Sequence, residues 1–295
     1  MLLSCAAILI SGCGNKYRDL DLTVYEYRDT KELVKFVYDA ALRLERDGLK
    51  SLDYFRNNRD LFKTRDHYLY IYHMDGTNIY HAGMEQLEGK DMGAVLDKNG
   101  KNITQLIQHA LKDKNNPHSW VHYSWWEPGK FYPVPKSSCH FQVKTPDGEE
   151  LFVGAGADYP HEEKEFIRIV VDGAAQLVEQ QGRAAFARIS SPTSQYSYRD
   201  VRVFAFQPDG TILISPVLGD DFSRIRLLEC TDEVGHKPFA KAMKTLGSKD
   251  RVWEVFMAKN RYQRGLVKKC LYMRKATMAG ETVYVAAITE LPQPP

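Results

Sequence analysis

The chain has 295 residues, and its 40 Lys or Arg against 38 Asp or Glu give a formal net charge of +2. That length is typical of two ordinary domains, and the dispersed charges form no basic patch of the kind that binds nucleic acid. Hydrophobic residues make up 43% of the chain and aromatic residues 12%, enough for packed cores. Composition therefore predicts two globular domains and excludes a nucleic-acid partner.

The first element is the apolar stretch "MLLSCAAILISGC", which is too short to span a bilayer. Its end, Ile10-Ser11-Gly12-Cys13, resembles the bacterial lipobox, although no Lys or Arg precedes Cys13 as in most signal peptides. We expect a signal peptide over 1–12, a lipid on Cys13 and a tether over 13–30. Gly14 in place of Asp favours the outer membrane, if there is one. An ordinary hydrophobic N terminus with an incidental cysteine is the alternative.

A long amphipathic helix and a hairpin follow. Apolar residues at helical spacing predict the helix, and they are Leu33, Val34, Val37, Ala41 and Leu44. In "HYLYIYHMDGTNIY" two β-rich runs flank Asp75-Gly76, a strong hairpin signal. The pattern thus predicts a helix that leads directly into two antiparallel strands.

A second helix and three more strands complete the unit. Ile103, Leu106, Ile107 and Ala110 have helical spacing, and the segments "WVHYSWW", "KSSCHFQV" and "ELFVGAGA" are typical of strands. This order predicts an α+β module: a five-stranded antiparallel sheet, with the long N-terminal helix packed on it and the helices on one side.

The same plan occurs twice. Asp75-Gly76-Thr77 recurs 134 positions later as Asp209-Gly210-Thr211, and upstream pairs such as Gly48 and Gly182 keep that offset. Downstream the offset changes by two residues, which surface loops tolerate. The sequence therefore predicts two tandem modules, 31–160 and 161–292.

The ordered motifs of the first module resemble the single Cache type 2 pattern. They are "YLYIYHMDGTNIYHAG", "LEGKDM", "DKNGK", "WVHYSWWEPG", Lys136 and "FVGAGADY". Ala82 stands where that family usually has Pro, and the second copy lacks the Gly-x-Gly and the Tyr-x-Trp pair. The resemblance covers about 31–292. It implies an extracytoplasmic small-molecule sensor fold related to PAS domains.

The resemblance also implies a ligand, a small organic acid or amino acid, and the residues that bind it. Lys136 would supply a positive charge, Tyr123 and His81 hydrogen bonds, and Trp125 an apolar wall. Plain core roles for Tyr123 and Trp125, a solvent-facing Lys136 and a surface or already hydrogen-bonded His81 stay open, as does the choice between Lys268 and Lys269. The predicted ligand-binding residues are Tyr70, His81, Tyr123, Trp125, Lys136, Phe204, Ser215, Trp253 and Lys268.

These features predict a non-enzymatic, lipid-anchored sensor in the cell envelope that serves a membrane receptor or transporter. No cofactor and no metal site are expected. An interaction or structural lipoprotein with vestigial pockets is the alternative. An envelope enzyme is a third possibility, although no catalytic motif of a known class occurs.

Overall fold

The computed structural model describes residues 20–64, 67–126, 131–199, 201–215, 225–247, 249–259 and 264–290. The predicted signal peptide, Cys13 and the first part of the tether therefore lie outside the described residues. Among the helices that are described, none is long and apolar enough to cross a membrane.

The first half of the chain forms one sheet with its helices. The helices are α1 (Arg28–Asp47), α2 (Ser51–Asn57) and α3 (Ile103–Ala110). The strands are β1 (Leu69–His73), β2 (Asn78–His81), β3 (Val121–Trp126), β4 (Pro133–Lys144) and β5 (Glu150–Asp158). They form a five-stranded antiparallel sheet in the order β2-β1-β5-β4-β3, which confirms the predicted hairpin and meander.

The helices cover both faces of this sheet, so the prediction that they share one side is wrong. On one face α1 packs on β4 and β5, and its Tyr38 ring lies 5.4 Å from Phe141 of β4. On the other face α3 and the segment before it cover Tyr70, Tyr72 and Phe152, whose side chains point away from the face that carries Phe141. A strand presents every second residue to each face, so a helix on either side finds a set of apolar partners.

The second half repeats this arrangement. Its helices are α4 (Lys164–Gln181), α5 (Ala185–Ser190) and α6 (Pro238–Leu246). Its strands are β6 (Ser197–Tyr198), β7 (Val201–Phe206), β8 (Ile212–Ile214), β9 (Arg251–Lys259), β10 (Leu266–Met278) and β11 (Glu281–Glu290). The sheet runs β6-β7-β11-β10-β9 with β8 beside β7, so it has six strands rather than the predicted five.

The two halves share one hydrophobic core. Phe166 of α4 packs against Trp120, with ring centroids 4.7 Å apart, and His122 of β3 packs against Tyr198 at 4.1 Å. The carboxylate of Glu163 accepts hydrogen bonds from the backbone N–H groups of Glu26 and Tyr27, just before α1. These contacts tie the start of the second half to the first.

Residues 20–27, which the sequence assigns to the tether, pack against the first half. The Tyr25 side chain is 2% exposed, and its hydroxyl accepts a hydrogen bond from Trp120 Nε1 at 2.6 Å. The first helix begins at Arg28, three residues before the predicted module boundary. The module and tether bounds themselves stay predictions.

Candidate ligand-binding site

A small cavity lies between the first sheet and α3, and we call it the first-sheet pocket. Its volume is about 40 Å³, room for about three water molecules. One wall is apolar and comes from α3 and the segment before it, through Met92, Val95, Ile103 and Ile107. The opposite wall is aromatic and polar, and consists of Tyr68, Tyr70, Tyr72, His81, Tyr123, Trp125 and Phe152.

Glycine in β5 allows Tyr70, which lines this pocket, to meet a polar side chain from β4. Tyr70 of β1, Gly154 of β5 and His140 of β4 lie side by side in register. The Tyr70 hydroxyl is 2.8 Å from His140 Nε2. A Cβ atom on Gly154 would lie 2.7 Å from Tyr70 Cε2 and 2.9 Å from His140 Nε2, so only glycine leaves room for this hydrogen bond.

The His140 ring is neutral and its tautomer follows from its partners. Nδ1 lies 2.9 Å from the Ser119 carbonyl oxygen, so Nδ1 carries the proton. Nε2 is then an acceptor, and the Tyr70 hydroxyl donates to it. Burial lowers the pKa of His140 to about 4, which keeps the ring uncharged at neutral pH.

His81, at the end of β2, presents a donor to the pocket. Its Nδ1 accepts a hydrogen bond from the Met84 backbone N–H at 2.9 Å, so Nε2 carries the proton of the neutral ring. Burial, together with the charges of Lys136 and Arg59, lowers the pKa of His81 to about 3. Above that pH the ring supplies one neutral N–H.

Two tyrosine hydroxyls supply further donors. The Tyr123 hydroxyl accepts from Ser138 Oγ at 3.3 Å and is also in hydrogen-bonding contact with the Tyr70 hydroxyl. The Tyr68 hydroxyl is buried and meets no partner of hydrogen-bonding geometry among the described residues. Burial raises the pKa of both phenols, so both stay protonated. An acceptor with two oxygens would satisfy donors that the chain leaves unused.

Lys136 lies behind the pocket and not in its wall. Its side chain is 1% exposed, and Nζ donates to Asp158 Oδ1 at 2.8 Å. Nζ also lies 4.4 Å from the centroid of the Tyr68 ring, a cation–π distance. Lys136 therefore adds positive potential from behind Tyr68, and Asp158 offsets part of it.

The structure brings four predicted residues together and places the fifth beside them. Tyr70, His81, Tyr123 and Trp125 line the first-sheet pocket. Trp125 is half-buried, with its ring edge-on to Tyr123 at 6.3 Å. Their roles in binding stay predictions, with Lys136 in an indirect position.

The pairing register of the second sheet identifies a different counterpart of Lys136 from the Lys268 that the sequence suggested. Lys136 pairs with Tyr123 and Asp158 across the first sheet, whereas Lys269 pairs with Phe256 and Glu290 across the second. The counterpart of Lys136 is thus Lys269. Lys268 is exposed, one position away. Trp253 lies three residues before Phe256, and its ring packs on Tyr272 at 4.4 Å.

The corresponding face of the second sheet is apolar. The row Tyr70, Gly154, His140 is replaced in register by Phe204, Ala286 and Met273. Phe204 packs with Phe206 and Phe239 at 6.1 Å, against a cluster that includes the buried Met273 and Ala286. Ser215 is buried at the end of β8, next to residues outside the described part of the chain. The described side chains of this face thus lack the polar row of the first sheet.

Sequence reasoning missed two tyrosines that line the pocket and the histidine that supports Tyr70. Tyr68 and Tyr72 flank Tyr70 at every second position, so strand alternation alone places all three on one face. His140 carried a weaker signal, because its partner Tyr70 lies 70 positions away in the chain. Only the strand order brings those two together.

Comparison with known families and solved structures gives the following matches. A Cache domain family model matches residues 50–278. A methyl-accepting chemotaxis protein from Vibrio parahaemolyticus is 19% identical with a TM-score of 0.36, over 44% of this chain and 88% of that one. A Cache chemosensory domain whose structure was solved for carboxylic acid recognition is 20% identical with a TM-score of 0.34, over 49% of this chain and 94% of that one. No curated protein matches this chain.

A third structure spans most of both chains. It is the ligand-binding domain of the Pseudomonas aeruginosa PAO1 amino acid chemoreceptor PctB with L-Arg. That domain is 12% identical with a TM-score of 0.30, over 88% of this chain and 87% of that one.

Proposed function

The chain belongs to the Cache domain family, whose members are extracytoplasmic ligand-binding sensor domains, and we propose that its first-sheet pocket binds a small monocarboxylate such as acetate. The observation that carries the proposal is the set of unused donors in the pocket. His81 Nε2–H and the Tyr68 hydroxyl are neutral and buried, and neither donates to a described protein acceptor; the protonated Tyr123 hydroxyl, which contacts Ser138 and Tyr70, lines the same pocket.

Pocket size favours the smallest carboxylates. A cavity of about 40 Å³ suits a ligand of a few heavy atoms, and a larger amino acid requires the α3 wall to move. A ceiling near 1.5 kcal/mol per heavy atom limits acetate to about 6 kcal/mol of binding free energy. Its Kd is then no lower than tens of micromolar. That affinity suits a sensor of abundant metabolites.

The apolar wall of α3 and Trp125 completes the recognition. It contacts the methyl or short alkyl end of the ligand, while the donors hold the carboxylate oxygens. The lipid anchor on Cys13, the outer-membrane position and service to a membrane receptor or transporter remain parts of this proposal. They rest on the lipobox resemblance and on the family alone.

A thermal-shift screen of the purified protein against short carboxylates and amino acids tests the proposal. Ligand at about 100 times Kd adds roughly 2.7 kcal/mol to the free energy of unfolding, a shift of several degrees. Tyr123→Phe removes one donor without changing the ring, and we expect it to weaken binding roughly 10- to 150-fold. Tyr132→Phe, at an exposed position, is the matched control.

No shift for any carboxylate, or an equal shift in Tyr123→Phe, contradicts the proposal. Such a result favours the alternative of an interaction lipoprotein whose pocket has lost its ligand. A search for a protein partner is then the next experiment.

A further inference from the structure

A second cavity runs along the edge strand β3, where the first half of the chain meets the β6–β7 hairpin of the second. Its volume is about 290 Å³, far larger than the first-sheet pocket. We call it the inter-sheet cleft. Its lining includes Lys98, Lys101, His122, Tyr198, Arg199 and Arg202. Both halves of the chain therefore contribute to this one cavity.

The lining of the cleft is strongly cationic. Lys98, Lys101, Lys136, Arg199 and Arg202 line it, and none of the described lining residues is Asp or Glu. Asp158 pairs with Lys136. The other lining cations face no carboxylate of the described cleft wall, which favours a negatively charged occupant.

The two arginines have weak protein partners. Arg199 donates to the Pro160 carbonyl oxygen at 3.1 Å, and its nearest described carboxylate oxygen, on Glu162, is 4.0 Å away. Arg202 donates through Nη1 to the carbonyl oxygens of Arg199 and Val201. Carbonyl oxygens satisfy donors without neutralising charge. Both guanidinium groups thus keep the fork geometry and the charge that bind oxyanions.

Lys101 connects the two halves of the chain at the cleft. Its side chain is buried, and Nζ donates to the carbonyl oxygens of His122 at 2.9 Å and Ser197 at 2.5 Å, one in each half. Burial and the nearby Arg202 charge lower the pKa of Lys101 to about 8, against the opposing effect of Asp97. Because that pKa still lies above 7, Lys101 remains mostly protonated at neutral pH.

The cleft wall also contains hydrogen-bonding atoms that the chain does not satisfy. His122 Nε2 is buried without a partner of hydrogen-bonding geometry among the described residues, and the buried Tyr198 hydroxyl has only looser contacts, with Arg199 and Ser137. Their rings lie 4.1 Å apart, and both residues line the cleft. Unpaired buried polar atoms are uncommon, and a bound group next to them is one explanation.

We propose that the inter-sheet cleft binds a divalent oxyanion, such as inorganic phosphate, between Arg199, Arg202, Lys98 and Lys101. More than one uncompensated cation surrounds the cavity, so a divalent ligand matches the site better than a monocarboxylate does. The cleft shares Tyr123 with the first-sheet pocket, but none of its cationic residues lines that pocket, and the proposal goes beyond the proposed function. Since both halves supply residues, the bound anion stabilises their contact.

Isothermal titration of the purified protein with inorganic phosphate, at constant ionic strength, tests this site. We expect saturable binding that weakens at least tenfold in Arg202→Gln and persists in Arg183→Gln, which alters an exposed arginine of the second half. Acetate binding should be unchanged in Arg202→Gln, because Arg202 does not line the first-sheet pocket. The two proposals therefore fail independently.

Titrations with sulfate and with succinate identify which class of divalent anion the cleft binds. Binding of all three anions, lost in Arg202→Gln, assigns the cleft to divalent oxyanions in general. Binding of phosphate and sulfate alone assigns it to tetrahedral oxyanions. Absence of binding, or equal phosphate affinity in wild type and Arg202→Gln, overturns the proposal.

Discussion

The Tyr70 hydroxyl donates to His140 Nε2 at 2.8 Å across strand β5, directly over Gly154. This contact joins β1 and β4, which are not neighbours in the sheet. It fixes the position of Tyr70, a residue that lines the first-sheet pocket, through a neutral histidine. The second sheet has Phe204 and Met273 at these positions, so the contact also distinguishes the two halves.

Gly154→Ala should disrupt the hydrogen bond between Tyr70 and His140. The new methyl group would meet Tyr70 Cε2 at 2.7 Å and approach the His140 ring more closely still. We expect a loss of about 1–3 kcal/mol in the free energy of unfolding, from strain and a broken hydrogen bond. Urea unfolding measures it. Gly247→Ala is the control, since Gly247 has a φ of −52° and its nearest atom would be 3.4 Å away. Equal stability of Gly154→Ala and wild type would contradict the packing described here.

Lys136 should matter more for stability than for affinity. Lys136→Met leaves the largely buried Asp158 carboxylate without its ion-pair partner, and such losses cost about 3–5 kcal/mol. Adding Asp158→Asn removes the unpaired charge and should restore much of the stability. Unfolding free energies of the two single variants and the double variant give the coupling. Additive effects would show that the pair does not interact.

The protein should lose stability as the pH falls below 6.5. Burial, the main cause in each case, lowers the pKa of His81 to about 3, of His118 and His140 to about 4, and of His122 well below its usual value. The unfolded chain binds protons below about pH 6.5 that the folded chain cannot. Stability is thus complete above that pH and decreases towards the folded-state pKa values.

Each of these histidines contributes up to about 1.4 kcal/mol per pH unit. Denaturant unfolding at pH 7.5 and 5.5 measures the change. His118→Gln should reduce the slope, whereas His236→Gln, with a side chain 74% exposed, should not. A free energy of unfolding that is constant over this range would contradict the neutral buried state of the rings.

Local sequence patterns predicted the elements well. The apolar stripe of α1, including Leu33, Val37 and Leu44, is buried. Both Asp-Gly turns form, with Gly76 at φ 102° and Gly210 at φ 86°. These features depend on residues within one or two turns of each other, where spacing determines which face is apolar.

Long-range features could not be predicted in this way. The choice of Lys269 over Lys268 depends on the pairing register of β10 with β9 and β11, which loop lengths leave open. The inter-sheet cleft brings together Lys98, in a turn of the first half, and Arg202, in β7 of the second half. Neither relationship leaves a periodic signal in the sequence.

The second sheet should not contribute to carboxylate binding. Lys268 is exposed on β10, so Lys268→Ala should leave acetate affinity unchanged and alter stability by no more than about 0.5 kcal/mol. His81→Phe, which removes a pocket donor, should abolish detectable acetate binding. Titration calorimetry compares the two variants. Weaker acetate binding in Lys268→Ala would reopen a role for the second half.

The most direct test of the carboxylate pocket is a calorimetric titration of the wild-type protein with acetate. The donors and the apolar second face predict one site per chain, with a Kd in the range of tens of micromolar or weaker. Two sites per chain would contradict the apolar character of the second face. No saturable heat with acetate or any other short carboxylate would contradict the proposed function itself.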